Sequence, residues 1–516
     1  LTRGYDGHVE GKRGKRDYRR PAQNTRDAGT ARNTTIGCNH GDDYTASRPD
    51  FQTFETPPPQ SSVEYRPFMP NVDPQNGQPP QLAGWGRIAR PGRELISEDL
   101  KELSKKAVLS RGLGRSYGDS SLPPPNCPEV MGTVLADRIL CFDETTGSIR
   151  VEAGLSLHDL NRLFFPQGWF TPVTPGTQFV TIGGMVAADV HGKNHHVDGC
   201  FGEHVTSLLL RVPDGRAVEC SPSVEPDLFW ATVGGMGLTG HILEVTFQLT
   251  KVPTPWIYAE RERFGDLDSL IAGLKDAASK WPFTVGWVDG LARGRRLGRG
   301  VLARARWAEK HEAPRSYPKP LTRLSVPFEF PDWVLNKWSI RAFNAIIYAA
   351  HFRKRAGIMH PEKFFYPLDS ILNWNRIYGR RGFIQYQCVL PTSAGHGAVR
   401  RFLEVFTEGG GADSFLSVIK DCGDEGHGML SFPMRGISLA LDIAVRPGIQ
   451  EQVDRLNEAV LAEGGRVYLA KDAFTTPEHF RRMEPRLDRW LAVRRKWDPE
   501  TRIRSAQSVR VLRDPA

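Results

Sequence analysis

No stretch of this 516-residue sequence reaches the roughly 18 apolar residues that a membrane-spanning helix needs. The most apolar candidate, around residues 345–350, is short and flanked by Arg341 and Arg353. No secretory signal is visible at the Leu1 end. The seven cysteines (38, 127, 141, 200, 220, 388 and 422) are scattered and form no CxxC pair, which argues against a disulfide framework or a zinc site and for a reducing compartment. A net charge of +9 is mild for this size; it admits an anionic substrate and gives no footprint for nucleic acid. A Walker loop is absent too. The one GxGxxG, at Gly235, Gly237 and Gly240, follows a helical pattern and precedes the β-branched run ILEVTFQL. A dinucleotide fingerprint needs the opposite order, so a Rossmann site is excluded.

What is present points to two or three domains with a substantial core, since 40% of the residues are hydrophobic. Residues 1–81 lack apolar periodicity and carry a basic cluster (Lys12, Arg13, Lys15, Arg16, Arg19, Arg20) and a PPP breaker, and they read as a disordered extension. A basic arm for nucleic acid or lipid headgroups is the lesser reading of that cluster. Order is expected from about residue 82. SIRVEAGLSLHDLNRLF (148–164) reads as a strand, then a helix opened by Ser156 and ended before Gly168. Residues 204–220 read as a hairpin turning at Pro213-Asp214-Gly215, and 226–250 as helix, glycine turn and strand. Strands at 284–290, 382–391, 413–423 and 437–445, with helices at 266–280, 395–408 and 449–464, read as one covered sheet. Residues 308–380 read as a long irregular cover rich in Pro, Trp and Arg.

The densest chemistry lies between Pro172 and Gly202. A Pro-Gly turn and a small-residue run (Gly183, Gly184, Ala187, Ala188) lead into His191, Lys193, Asn194, His195 and His196. Small side chains let a ligand approach the backbone, whose N–H groups can cradle a diphosphate. A glycine-rich turn with solvated histidines is the plain alternative.

Seven motifs in order carry a resemblance: RGLGRSYGD (111–119), PGTQFVTIGG (175–184), DVHGKNHH (189–196), FWATVGGMGLTG (229–240), FIQYQ (383–387), VYLAKD (467–472) and VRRKWDP (493–499). Together they resemble the flavoprotein oxidase subunits of decaprenylphosphoryl-ribose 2′-epimerases, within the vanillyl-alcohol-oxidase (PCMH) type of FAD-binding proteins. The resemblance covers about residues 82–505. It implies an α+β fold of two domains: an FAD-binding domain from 82–254 and 466–516, split by an antiparallel-sheet substrate domain from 255–465.

The resemblance also implies roles. Arg111, Gly112, Leu113, Gly114, Arg115, Ser116, Tyr117, Gly118 and Asp119 would form a first FAD loop. Gly176, Thr181, Ile182, Gly183, Gly184, Ala188, Asp189 and His191 would form a second, with Ile242 and Tyr468 at further cofactor positions. Trp287, Phe365, Gln385, Gln387, Lys420 and Lys471 would face the substrate. For each of these, strand packing or surface charge is the ordinary reading. Lys471 is the expected cation beside the flavin, and Tyr117, His191 and Lys193 are candidates for the proton path. Lys193, Lys420 and the arginines at 293–306 could hold a phosphate diester. No metal is expected.

The implied reaction oxidises the 2′-hydroxyl of a polyprenylphosphoryl-ribose to the keto sugar, with an NAD(P)H-dependent reductase partner completing the epimerisation. The implied setting is cytoplasmic, with peripheral contact to the inner membrane. Several oxidases of this fold tether FAD through a histidine where this chain has Arg115, so non-covalent FAD is expected. Departures fall at Phe365 (a tyrosine in familiar members), at Ser438-Leu439-Ala440 (an asparagine and a cysteine in relatives) and at Gln507 (an acidic residue). They leave open an oxidase of a free sugar, alditol or aldonolactone, and, from another class, a protein that binds FAD for structure alone.

Overall fold

The computed structural model describes residues 80–351, 354–408 and 416–516. The expected extension, residues 1–79 of it, lies outside the described residues. Strand pairing begins at Gln81.

The first part of the chain builds two main sheets, besides two two-stranded pairs. Strands β1 (Arg93–Ile96), β2 (Ser110–Arg111) and β3 (Glu129–Gly132) form a parallel sheet in the order β1-β3-β2. The next layer comprises β4 (Ile139–Phe142), β5 (Ser148–Glu152), helix α1 (Leu157–Phe164) and helix α2 (Ile182–Ala187). It continues with β6 (Val205–Arg211), β7 (Ala217–Cys220), α3 (Pro226–Thr232) and β8 (His241–Gln248), and its strands pair antiparallel as β7-β6-β8-β5-β4.

Local chemistry sets these boundaries. Ser156 accepts the Asp159 N–H at 3.0 Å and opens α1, and Gly168 at φ 79° closes the turn after it, a conformation that costs other residues a Cβ clash. Ile149, Val151, Leu157, Leu160, Ile182 and Met185 meet in one buried cluster between helices and sheet. Each such side chain contributes roughly 1.5–3 kcal/mol through burial.

The second part builds an eight-stranded antiparallel sheet. Its elements are β9 (Ile257–Phe264), α4 (Leu267–Ala278), β10 (Phe283–Val288), β11 (Gly300–Trp307), α5 (Lys337–Ala350), β12 (Arg355–Met359) and β13 (Phe383–Pro391). There follow α6 (Gly397–Glu408), β14 (Ser417–Cys422), β15 (Gly436–Ala444), α7 (Ile449–Ala462) and β16 (Arg466–Val467). The strand order is β12-β9-β11-β10-β14-β15-β13-β16. Helix α4 buries Leu267, Leu270, Ile271, Leu274 and Ala277, a three-and-four spacing that puts one stripe on the sheet. Phe402, Phe406, Leu456 and Val460 from α6 and α7 complete that layer. Along β13 the pleat sends Tyr386 and Cys388 into this helix-covered core, and Gln385 and Gln387 to the other face.

Two expectations are corrected. Residues 308–380 are not irregular throughout: α5 runs for 14 residues from an Asn336–Ser339 capping box. It buries Ile340 and Asn344 and leaves Trp338, Phe343 and Ile346 exposed, so its buried face does not follow its apolar residues. Lys471 is not at a strand end; β16 is two residues long and Lys471 follows in a turn, its N–H on the Tyr468 carbonyl at 2.9 Å. The last segment returns to the first: Ala506 N–H bonds Leu122, Arg504 N–H bonds Val108, and the Trp490 indole donates to the Ala231 carbonyl.

Candidate active site

A cavity of about 590 Å³ runs between the glycine loops and the open face of the eight-stranded sheet. One wall is the loop after β2, where Gly112, Leu113, Gly114, Arg115, Ser116 and Tyr117 line the space. The loop is clamped from both sides: Trp85 N–H bonds the Ser116 carbonyl at 2.7 Å, and Tyr117 N–H bonds the Ala470 carbonyl at 3.0 Å. Gly118 is the close approach, since a Cβ there would stand 1.7 Å from the Asp472 carbonyl oxygen. Gly112 packs against Thr181, which caps α2 by accepting from Gly184 N–H at 3.2 Å. Gly176, Thr181, Gly183, Gly184, Ala188 and His191 extend this wall, and Ile242 and Tyr468 close it.

Six predicted site residues do not line the cavity. Arg111 is buried and donates to the Ala83 carbonyl at 2.8 Å and to Ser121, beside Glu94 at 3.4 Å. Gly118 serves the clamp just described. Asp119 pairs with Arg510 at 2.7 Å, fixing the loop to the C-terminal helix. Ile182 is core. Asp189, at φ 39°, accepts from Gly202 N–H and from the Ser431 hydroxyl; burial pushes its carboxyl up to about 6. Phe365 packs among Phe170, Phe283 and Trp307 and offers the cavity side only its carbonyl, which accepts from Lys193 Nζ at 2.7 Å.

The opposite wall is the sheet. Trp287 on β10, Gln385 and Gln387 on β13 and Lys420 on β14 line the cavity together with Lys193 and Lys471. Gln387 Nε2 donates to His191 Nε2 at 3.0 Å and stands 3.2 Å from Ser438 Oγ. His191 then carries its hydrogen on Nδ1, a buried atom that finds no partner among the described residues. Burial, then the Lys420, His195 and Lys471 charges, hold His191 well below the usual imidazole range, so it is neutral. Tyr117 is pushed the other way by burial and keeps its proton. Lys471 Nζ lies 3.8 Å from the centre of the Tyr117 ring. Burial lowers Lys471 to about 7, with Lys420 adding to the shift and Asp442 opposing it. Burial and Lys420 likewise lower Lys193 to about 7, and burial lowers Lys420.

Some of what builds and supports this wall was not anticipated. Asp442, on β15 opposite Gln385, accepts from Gln385 Nε2 at 2.7 Å and from the Tyr378 hydroxyl at 2.9 Å, and burial raises it to about 7. Its signal in the sequence is a lone acid in the apolar run ISLALDIAV. Met236, Gly237 and Gly240 of the reversed GxGxxG also line the cavity, held there by Met236 N–H on the Ala187 carbonyl. The arginines at 293–306 do not contribute. Arg299 pairs with Asp289, Arg304 with Glu260 and Arg306 with Glu312, while Arg293 caps the Thr407 carbonyl. The charge of Arg299, Arg304 and Arg306 is spent on neighbouring carboxylates, which sequence alone did not reveal.

The residues fit an FAD. Where a Cβ would project from Gly176 or Gly237 there is open space, so backbone faces the cavity at both positions. The glycine-walled end suits a diphosphate, and the end with His191, Gln387 and three lysines suits a reacting ring and its substrate.

Residues 100–221 match the FAD binding domain family. Decaprenylphosphoryl-β-D-ribose oxidase of Mycolicibacterium smegmatis is 36% identical over 441 residues, 81% of this chain and 95% of that protein. An uncharacterized protein from the mprA 5′ region of Streptomyces coelicolor is 35% identical over 368 residues, 67% of this chain and 97% of its own length. L-Gulonolactone oxidase of Mus musculus is 33% identical over 114 residues, 22% of this chain and 25% of that protein. Fold and site thus define an FAD-dependent oxidoreductase with an α+β architecture. The chain belongs to the family of decaprenylphosphoryl-β-D-ribose oxidase.

Proposed function

We propose that the protein oxidises the 2′-hydroxyl of a polyprenylphosphoryl-ribose to the keto sugar. The observation that carries this reading is the meeting of two walls in one cavity: glycine loops suited to FAD, and a sheet face bearing Lys193, Lys420 and Lys471. The two glycine loops, with Ile242 and Tyr468, would hold FAD, which would supply the hydride acceptor. Lys471 would offer a cation to the negative charge that develops as the alcohol is oxidised. Lys193 is the proton carrier of the site. His191 is kept neutral with Nε2 engaged by Gln387, and Tyr117 keeps its proton, whereas Lys193 and Lys471 both exchange one near neutral pH; Lys471 takes the charge role because its Nζ stands over the Tyr117 ring, which leaves Lys193 for the proton. Gln385 and Gln387 orient the sugar, and Asp442 orients Gln385.

A keto sugar leaves epimerisation half complete, so the reading includes an NAD(P)H-dependent reductase that takes the product. It also includes peripheral contact with an anionic membrane at the α5 side of the cavity. Helix α5 lines the cavity with Ile347 and presents Trp338 (76% exposed) and Ile346 (67%) outward, beside Trp333 (76%). Among the described residues no helix is long and apolar enough to cross a membrane.

The reaction is tested with farnesylphosphoryl ribose carrying deuterium at C2′. The expected product is a ketone that has lost that deuterium. A product oxidised elsewhere and still deuterated at C2′ contradicts the assignment.

A further inference from the structure

Strand β9 carries two charge systems on its two faces. Glu260 and Glu262 point to one face and pair with Arg304, and Lys354 joins Glu260 at 3.0 Å. Arg261 points to the other face and lines the cavity. No carboxylate among the described residues pairs with it, and its Nη2 contacts the Met359 sulfur at 3.7 Å. Directly across the ladder, on β12, stands Arg355, which is exposed and also lacks a carboxylate partner among the described residues. Like charges directly opposite each other on an antiparallel pair are destabilising. Burial, and then Arg355, lower Arg261 from the usual guanidinium range, as expected where nothing neutralises the pair.

The pair stands at a telling place in the sheet. From Lys420 on β14 the cavity floor crosses Trp287 on β10 and Val301 and Ala303 on β11 before reaching Arg261 on β9. Three strand spacings are about 14 Å at the backbone, a distance that one pentose phosphate and two long cationic side chains span. Beyond Arg261 lies the edge strand β12, and α5 contributes Ile347 to the same cavity. A ligand laid along this floor meets lysines, then an aromatic and apolar floor, then Arg261, with Arg355 opposite it on the edge strand. An anion at the edge-strand end of the floor resolves the Arg261–Arg355 repulsion, and guanidinium forks match phosphate oxygens in shape as well as charge.

We propose that Arg261, backed by Arg355, seats the phosphate of the lipid-linked sugar, the group that stands between the sugar ring and the polyprenyl chain. The seat rests on the reaction proposed above for its substrate, and its test is separable from that reaction.

The probe is farnesyl phosphate, which has the phosphate and no sugar, titrated calorimetrically into FAD-loaded protein. Arg261→Gln should weaken its binding about tenfold or more. Arg261→Lys should fall between, because an ammonium cannot offer the fork. The thermal midpoint of unliganded Arg261→Gln should stay at or above wild type, since the contact with Arg355 is relieved. A lower midpoint with unchanged farnesyl phosphate affinity makes Arg261 a structural residue and overturns the seat. Arg355→Gln, at an exposed position, should weaken the probe in the same direction; wild-type affinity in both variants also overturns it. Two further arms settle the source of the phosphate. Inorganic phosphate should bind more weakly than farnesyl phosphate, and equal binding overturns the lipid-phosphate assignment. If Arg261→Gln loses affinity for phosphatidylglycerol vesicles yet keeps it for farnesyl phosphate, the pair belongs to the membrane surface and the inference falls. Arg261-dependent probe binding without oxidation of farnesylphosphoryl ribose sinks the reaction and leaves the seat standing. Oxidation with an unchanged KM in Arg261→Gln does the reverse.

Discussion

The Lys471 ammonium lies 3.8 Å from the centre of the Tyr117 ring, joining the turn after β16 to the first glycine loop. An aromatic face stabilises a buried cation without neutralising it, which suits a charge that must act on something else. Lys471→Ala should therefore bind FAD and be reduced by substrate about 100-fold more slowly or worse. Lys471→Arg should recover part of the rate, because the wider guanidinium places its charge differently. Tyr117→Phe keeps the ring and should stay close to wild type. Stopped-flow reduction normalised to bound FAD checks all three; near-normal reduction in Lys471→Ala removes the residue from the mechanism.

Two glycines in the same wall should behave in opposite ways. A Cβ at Gly118 meets the Asp472 carbonyl oxygen at 1.7 Å, so Gly118→Ala should lower stability by about 1–3 kcal/mol or more. A Cβ at Gly176 meets nothing within 4 Å, so Gly176→Ala should keep the apoprotein's denaturation midpoint and lower its FAD affinity. Denaturant titration and FAD titration on both variants make the comparison.

The folds of the first and second parts are read from the sequence with unequal ease. Ser156 and Gly168 mark both ends of α1 and its following turn, and the hairpin at Pro213-Asp214-Gly215 forms as its turn chemistry dictates. The four strands 283–288, 383–391, 417–422 and 436–444 stand out as β-rich runs and do share a sheet. Helix α5 is hidden because the face it buries carries Asn344 while Trp338 and Ile346 point outward, and Asp442 because its strand is buried on both faces. The arginines at 293–306 were unreadable for another reason: whether a charge is available depends on carboxylates brought near by strand pairing. Arg261 and Arg355 meet only through register, which no local pattern encodes.

Titration of the buried groups should leave a signature in stability. Lys193 falls from 10.5 to about 7 on burial, so the folded state holds fewer protons than the unfolded state between those values. Its penalty is present in full below about 7 and fades as pH rises toward 10.5, so its contribution to stability rises with pH. Asp442 rises from 3.8 to about 7, so its contribution is greatest below 3.8 and falls as pH climbs through about 7. In the unliganded protein Lys193→Met should flatten the pH dependence on the alkaline side, and Asp442→Asn on the acid side. Denaturant midpoints of each variant against wild type across pH check the two signs.

Arg115 occupies the first glycine loop with its guanidinium 4.0 Å from the centre of a Trp85 ring, and a guanidinium does not form the flavin bond that an imidazole can. Acid or heat denaturation should release all the FAD into the supernatant, read by absorbance after filtration. Flavin retained on the denatured chain would show a tether elsewhere.

Peripheral membrane contact is checked on α5. Trp338→Ser and Ile346→Ser should reduce co-sedimentation with phosphatidylglycerol vesicles while leaving the folded core intact, since both side chains point outward. Unchanged vesicle binding, or none in the wild type, removes this face from the account.

The central claim is that the cavity pairs FAD with a lipid-linked ribose. Its most direct test is anaerobic mixing of FAD-loaded protein with polyprenylphosphoryl ribose, free alditols and aldonolactones, following flavin absorbance. The account predicts rapid bleaching with the lipid-linked ribose and little with the free sugars. Bleaching by free alditols or lactones alone, with the lipid-linked ribose inert, would contradict it.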